Sequence, residues 1–175
     1  MNRPVPTDRE VPVSTIDIVV SKSDEAGNIT YCNPIFVKLS GYEKDELMEQ
    51  PHAILRHPEM PAVVFKYLWE RLKANKEVYA FVKNLTKNGD YYWVYAFVRP
   101  ALNPDGSFRN YVSTRKSMNP EAKAQIEQLY AQLLEVEKAS GIEASERELY
   151  AFLEHSGYSA DTFNDLMRVL QGDNS

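Results

Sequence analysis

Two turn signals in the second half of the chain, Lys87-Asn88-Gly89-Asp90 and Asn103-Pro104-Asp105-Gly106, restrict its fold more than any other feature. Each combines Asn or Asp with Gly, the residues that accept positive φ, and each separates runs rich in β-branched and aromatic side chains. The runs 77–86, 91–102 and 108–116 therefore read as three antiparallel strands of a meander. Upstream, 15–23 and 29–32 read as a strand pair about the turn in Asp-Glu-Ala-Gly-Asn. Between the two strand groups lie helix signals. Asn33 is placed to cap a short helix with Pro34 at its first position and Gly41 at its end, and a second short helix follows at 43–48. Pro61 opens a longer one, with Val64, Leu68 and Leu72 four apart and Phe65 and Trp69 beside them. The predicted class is α+β, a five-stranded antiparallel sheet with short helices inserted between strands two and three.

Beyond Lys116 the pattern turns helical. Residues 120–139 place Ile126, Leu129, Tyr130, Leu133 and Val136 on one face, and Gly141 stops the helix. Ser145 and Glu148 stand at capping-box spacing for a second tail helix ending at Gly157, and Ser159 is placed to cap a third. The predicted division is an N-terminal arm at 1–14, a core domain at 15–118 and a helical extension at 119–175. A net charge of −5, with 20 basic residues dispersed along the chain, argues against a nucleic-acid partner. No window approaches the ~20 apolar residues that cross a bilayer, so direct membrane insertion is not expected and the predicted location is the cytoplasm. Cys32 is the only cysteine, which excludes an intramolecular disulfide and a cysteine zinc cage.

Strand parity picks out candidate site residues. Period two puts Val78, Ala80, Val82 and Asn84 on one face, so Asn84 is a buried amide in need of partners if that face lines a cavity. Tyr111, Ser113 and Arg115 share a face on the last strand. Trp93 shares parity with Tyr91, Tyr95 and Phe97, an aromatic outer face that requires cover by the arm, the tail helices or a partner. The segment Gln50–Pro61 concentrates His52, Arg56 and His57 between prolines. Arg56 and His57 precede a helix start, where free N–H groups favour anions; the alternative is a surface Arg56 paired with Glu59 and a histidine in a turn. His52 reads as a turn cap or a ligand, and Trp69 as core packing or a cavity wall.

The run Asn28–Leu47 resembles the opening of a PAS domain through Ile29, Asn33, Phe36, Gly41, Tyr42, Glu46 and Leu47. The stretches "PHAILRHPEMP", "VKNLTKNGDYYWV" and "YVSTRK", with Trp69, are similar more narrowly to the PAS domains of bacterial aerotaxis receptors, which hold FAD. The resemblance covers roughly 15–120. "NLTKNGDYYW" also resembles the segment of blue-light-sensing flavin domains whose leading asparagine, here Asn84, reads the pyrimidine edge of the flavin. The chain departs from those light sensors in three places: no cysteine in the helix region, Val94 after Trp93, and Arg115 in place of a glutamine. A cysteinyl-adduct photocycle is therefore not expected.

The resemblance implies a sensory module that binds FAD non-covalently, reports redox state or oxygen, and is not an enzyme. The cofactor contacts it implies are Arg56, His57, Trp69, Asn84, Tyr111 and Arg115, with His52. Output is expected through a signalling partner or through self-association, as a homodimer, by way of 120–139. Two alternatives stay open: a haem-binding gas sensor with His52 or His57 as axial ligand, and a cofactor-free interaction module. No nucleophile or carboxylate stands at motif-like spacing from His57, which weighs against acid–base catalysis there.

Overall fold

A computed structural model describes residues 2–173. Among them the chain forms an antiparallel sheet of five strands in the order β2-β1-β5-β4-β3: β1 Val19–Ser23, β2 Ile29–Cys32, β3 Val78–Leu85, β4 Tyr91–Leu102 and β5 Phe108–Ser117. The helices α1 Pro34–Ser40, α2 Lys44–Leu47 and α3 Ala62–Lys73 lie between β2 and β3, with a 3-10 turn at His52–Leu55. The expected α+β class and insertion order are those observed. Asn33 caps α1 through Phe36 N–H, and Gly41 closes it with φ 75°. Strand β1 starts later than expected, at Val19. Asp17 folds back, its carboxylate accepting from Ser14 N–H and its own N–H donating to Ser14 O, so 14–17 is a turn.

The inner face of the sheet carries Val82, Ala96 and Val98 and looks toward α3. The outer face carries Tyr79, Phe81, Trp93 and Tyr95. It is covered from within the chain by α4, Pro120–Ser140, whose Tyr130 ring lies 6.0 Å from that of Trp93 and whose hydroxyl donates to Phe81 O at 2.6 Å. Ile126 and Leu133 of this helix are fully buried. Of the covers expected for the aromatic outer face, the arm, the tail helices or a partner, the tail helix α4 supplies this one. Helix α5, Ile142–His155, returns against α4 and α3, and α6, Phe163–Gln171, packs on β3. Ser145 does not cap α5: Gly141 precedes its first turn, and Ser145 is buried inside the helix, donating to Leu133 O at 3.0 Å. Ser159 caps a 3-10 turn at Ala160–Thr162, and α6 begins only at Phe163.

Edge strand β3 is sealed along much of its length by side chains and loop backbone. Asn164 of α6 accepts from Tyr79 N–H at 2.9 Å and donates to Glu77 O, Tyr130 takes Phe81 O, and Lys83 N–H and O meet Met60 Sδ and His57 N–H. An edge covered in this way is closed to further strand pairing. The arm is docked as well. Tyr91 N–H donates to Arg9 O and Val11 N–H to Tyr91 O, filling the ladder beside β4 where β5 has ended.

Leu133→Ala should cost about 2–5 kcal/mol in urea unfolding, and Val136→Ala, at a half-buried position of the same helix, clearly less; equal small effects would mean that α4 is not part of the core. At Gly89, with φ 95°, an added Cβ would stand 2.0 Å from Val5 O. Gly89→Ala is therefore expected to lift the arm and speed amide exchange at Thr7 and Val11, and unchanged protection at both would count against the docked arm.

Candidate functional site

Between the inner sheet face and α3 lies a cavity of about 260 Å³. Its walls follow from local patterns. On α3, Phe65, Leu68, Trp69 and Leu72 recur at helical spacing on the side facing the sheet, while Val82, Ala96 and Val98 form a floor of small side chains. Trp69 stands edge-on to Tyr111, ring centroids 5.5 Å apart, and its rim closes over Gly27, where an added Cβ would lie 3.0 Å from the indole.

Polar groups interrupt the apolar lining. Arg115 is buried on β5, and its Nη2 donates to Ser21 Oγ at 2.6 Å. Having accepted there, the hydroxyl has a proton to give, and His52 Nε2 stands 3.2 Å away. The guanidinium packs over the Phe36 ring at 4.7 Å, and the His52 ring meets the same phenyl edge-on. Burial lowers Arg115 to about 10, so it remains a cation at neutral pH. Among the described residues no carboxylate pairs with it, and its Nε has no hydrogen-bond partner. Burial, then the Arg115 charge, hold His52 at about 3, a neutral imidazole. Asn84, also buried, lies opposite Tyr92 in the β3–β4 pairing, and burial pushes the Tyr92 hydroxyl up to about 12. A buried cation lacking a counter-charge, with an amide, an imidazole and a hydroxyl in the wall of an otherwise apolar slot, suits a planar aromatic ligand with an electron-rich polar edge. Isoalloxazine meets that description, so the residues present fit a flavin.

His52, Arg56, Trp69, Asn84, Tyr111 and Arg115 all line this cavity; His57 does not. The backbone of Arg56 bridges to Asn84, leaving Arg56 at the cavity over the Phe65 ring at 4.1 Å, while His57 turns to the other side against Tyr91 and Lys83. There its Nδ1 accepts from Glu59 N–H, and its Nε2 has no partner among the described residues. Two further expectations change. Glu59 pairs with Lys83 at 2.6 Å, not with Arg56. The start of α3, read as a place for a ligand anion, is taken by the chain's own Glu137, which accepts from Ala62 and Val63 N–H. Ser21 and Tyr92 were not singled out from the sequence; strand parity with Val19 and Ser23 is the signal that could have placed Ser21 on the buried face.

Residues 29–115 match the family described as PAS fold. The aerotaxis receptor of Escherichia coli (strain K12) is 37% identical over 132 residues, 75% of this chain and 26% of that protein. A nitrogen fixation regulatory protein of Klebsiella pneumoniae is 28% identical over 98 residues, 56% of this chain and 20% of that protein. The chain thus spans about a quarter or less of the length of these curated relatives. Among solved structures, a light-oxygen-voltage domain studied with a flavin analogue has a TM-score of 0.56 at 21% identity, covering 63% of this chain and 84% of that one. A PAS domain from Colwellia psychrerythraea has a TM-score of 0.53 at 17% identity, covering 58% and 86%.

His52 carries a pH prediction. Its folded pKa lies below the unfolded value, so the unfolded chain binds the extra proton and stability falls as pH drops from 6.5 toward 3. The slope is at most about 1.4 kcal/mol per pH unit from this group. Urea unfolding at pH 7, 6 and 5 should return a shallower pH dependence for His52→Gln; parallel curves would place His52 in water.

Proposed function

The chain contains a domain of the PAS family, residues 29–115, and on that premise we propose that its cavity holds FAD non-covalently and that the protein senses redox state or oxygen in the cytoplasm. The observation that carries this reading is Arg115: a buried guanidinium with no carboxylate among the described residues, in an aromatic-walled slot. The family resemblance through Arg56 and Asn84 supplies FAD as the particular flavin.

When bound, the flavin supplies reversible electron uptake. Arg115 favours negative charge arriving in the cavity, because an opposite charge nearby in a low-dielectric site stabilises the anionic form. Ser21 fixes the direction of the Arg115 fork, and His52, neutral at physiological pH, adds no second cation. Asn84 presents an amide able to donate and to accept at the polar edge. Trp69, Phe65 and Tyr111 exclude water from the ring, and Arg56 in the cavity lining offers a cation to a phosphate. Output has a short covalent route: β5 ends at Ser117 and α4 begins at Pro120, with Met118 buried between them. A signalling partner would read the state of this tail. Two observations favour flavin over haem: the His52 nitrogen within the cavity is engaged by Ser21, and His57 lies outside the cavity.

Protein purified without refolding is expected to carry a yellow, fluorescent flavin released by acid as FAD. A Soret band, or colourless protein that takes up no added FAD, would overturn the assignment. Asn84→Ala should weaken retention by about 0.5–1.5 kcal/mol and Arg115→Met by about 1.5–3 kcal/mol, that is, roughly 2- to 12-fold and 10- to 150-fold in Kd. Both should keep the wild-type far-UV circular dichroism, and wild-type Kd in both would mean that a different wall holds the ligand.

A further inference from the structure

Helix α3 supplies one wall of the cavity, yet its first turn has no cap of its own. Pro61 precedes it without a side chain able to accept a hydrogen bond. The free N–H groups of Ala62 and Val63 are met instead by the two carboxylate oxygens of Glu137, at 2.8 and 3.1 Å, from a residue 75 positions away on α4. An anion at this end of a helix is also favoured by the aligned peptide dipoles. Glu137 is itself held by the tail, Ser145 Oγ of α5 donating to its Oε2 at 3.2 Å, and its charge acts on Arg56, which lines the cavity. One carboxylate therefore joins the cavity-lining helix α3 to two helices of the tail.

We propose that Glu137 is a positioning residue that ties the tail to the cavity wall, so that seating of α3 against a ligand and docking of the tail favour one another. The reasoning is linkage. Any ligand that packs on Phe65 and Trp69 holds α3 in the orientation that presents its first N–H groups to Glu137, and by reciprocity a docked tail pre-orders that wall for the ligand. Its ligand half rests on the flavin reading above; the tie between tail and wall does not.

Amide exchange tests it, because α3 also touches the tail at Lys66–Glu146 and through the Tyr67 hydroxyl on Ala160 O at 2.5 Å, contacts that could carry the coupling instead. Glu137→Ala is expected to speed exchange at Ala62 and Val63 roughly 3- to 30-fold, with Glu137→Gln, which keeps one oxygen acceptor, in between. Tyr130→Phe removes a tail-to-sheet bond about two turns before Glu137 on the same helix, leaving the Glu137 carboxylate itself intact. It should speed the same two amides in the wild-type background and add nothing in the Glu137→Ala background. Equal acceleration by Tyr130→Phe in both backgrounds, no acceleration in the wild-type one, or wild-type exchange in Glu137→Ala would each overturn the proposal. With FAD added, the flavin dissociation rate should follow the order of the amide rates across the variants; an unchanged rate would reject the ligand half. A chain that takes up no FAD still returns the amide result, so the two readings fail separately.

Discussion

The architecture depends on a sheet with two water-averse faces. The floor of Val82, Ala96 and Val98 and the aromatic cluster of Tyr79, Phe81, Trp93 and Tyr95 share the same strands at alternate positions, so burying one face leaves the other exposed. Helix α3 covers the first and α4 the second. Small residues on the inner face leave room between floor and helix, and that room is the cavity; large residues on the outer face leave none, and there the tail packs tightly. Cavity and tail docking site are opposite sides of one set of strands.

Electrostatics then separates the two sides. The inner side holds a lone buried guanidinium with neutral donors and acceptors around it, while the outer side and its rim hold paired charges, Lys83 with Glu59 and Lys123 with Glu10. A buried charge without a partner is costly to keep. Retaining one in the wall of an apolar slot is the observation on which the proposed flavin site rests. The tail acts on the same compartment from outside, because the carboxylate that completes α3 belongs to α4.

Local chemistry made much of this legible. Asn-Gly and Asp-Gly turns, Asn33 before Pro34 and period-two burial act over a few residues, and they place the strands, the first helix, Asn84 and Arg115 correctly. The misreadings share a cause, a distant partner that outbids a local one. Ser145 and Glu148 have capping-box spacing, but the carbonyl of Leu133 and the carboxylate of Glu137 take the hydroxyl. Arg56 and His57 are neighbours in sequence, but the bridge of Arg56 to Asn84 sends their side chains to opposite sides of the strand. The start of α3 looked open to an anion because its own anion comes from 75 residues downstream.

The sealing of β3 has a consequence for what the tail protects. The caps on its edge come from Asn164, Tyr130, Met60 and His57, and the first two belong to the tail. A fragment cut just after β5 would bare the Glu77–Phe81 end of that edge beside an uncovered aromatic face, the combination that recruits further strands into edge-to-edge stacks. The tail thus covers the same strand edge and aromatic face that it packs against, so packing and edge protection come from one element.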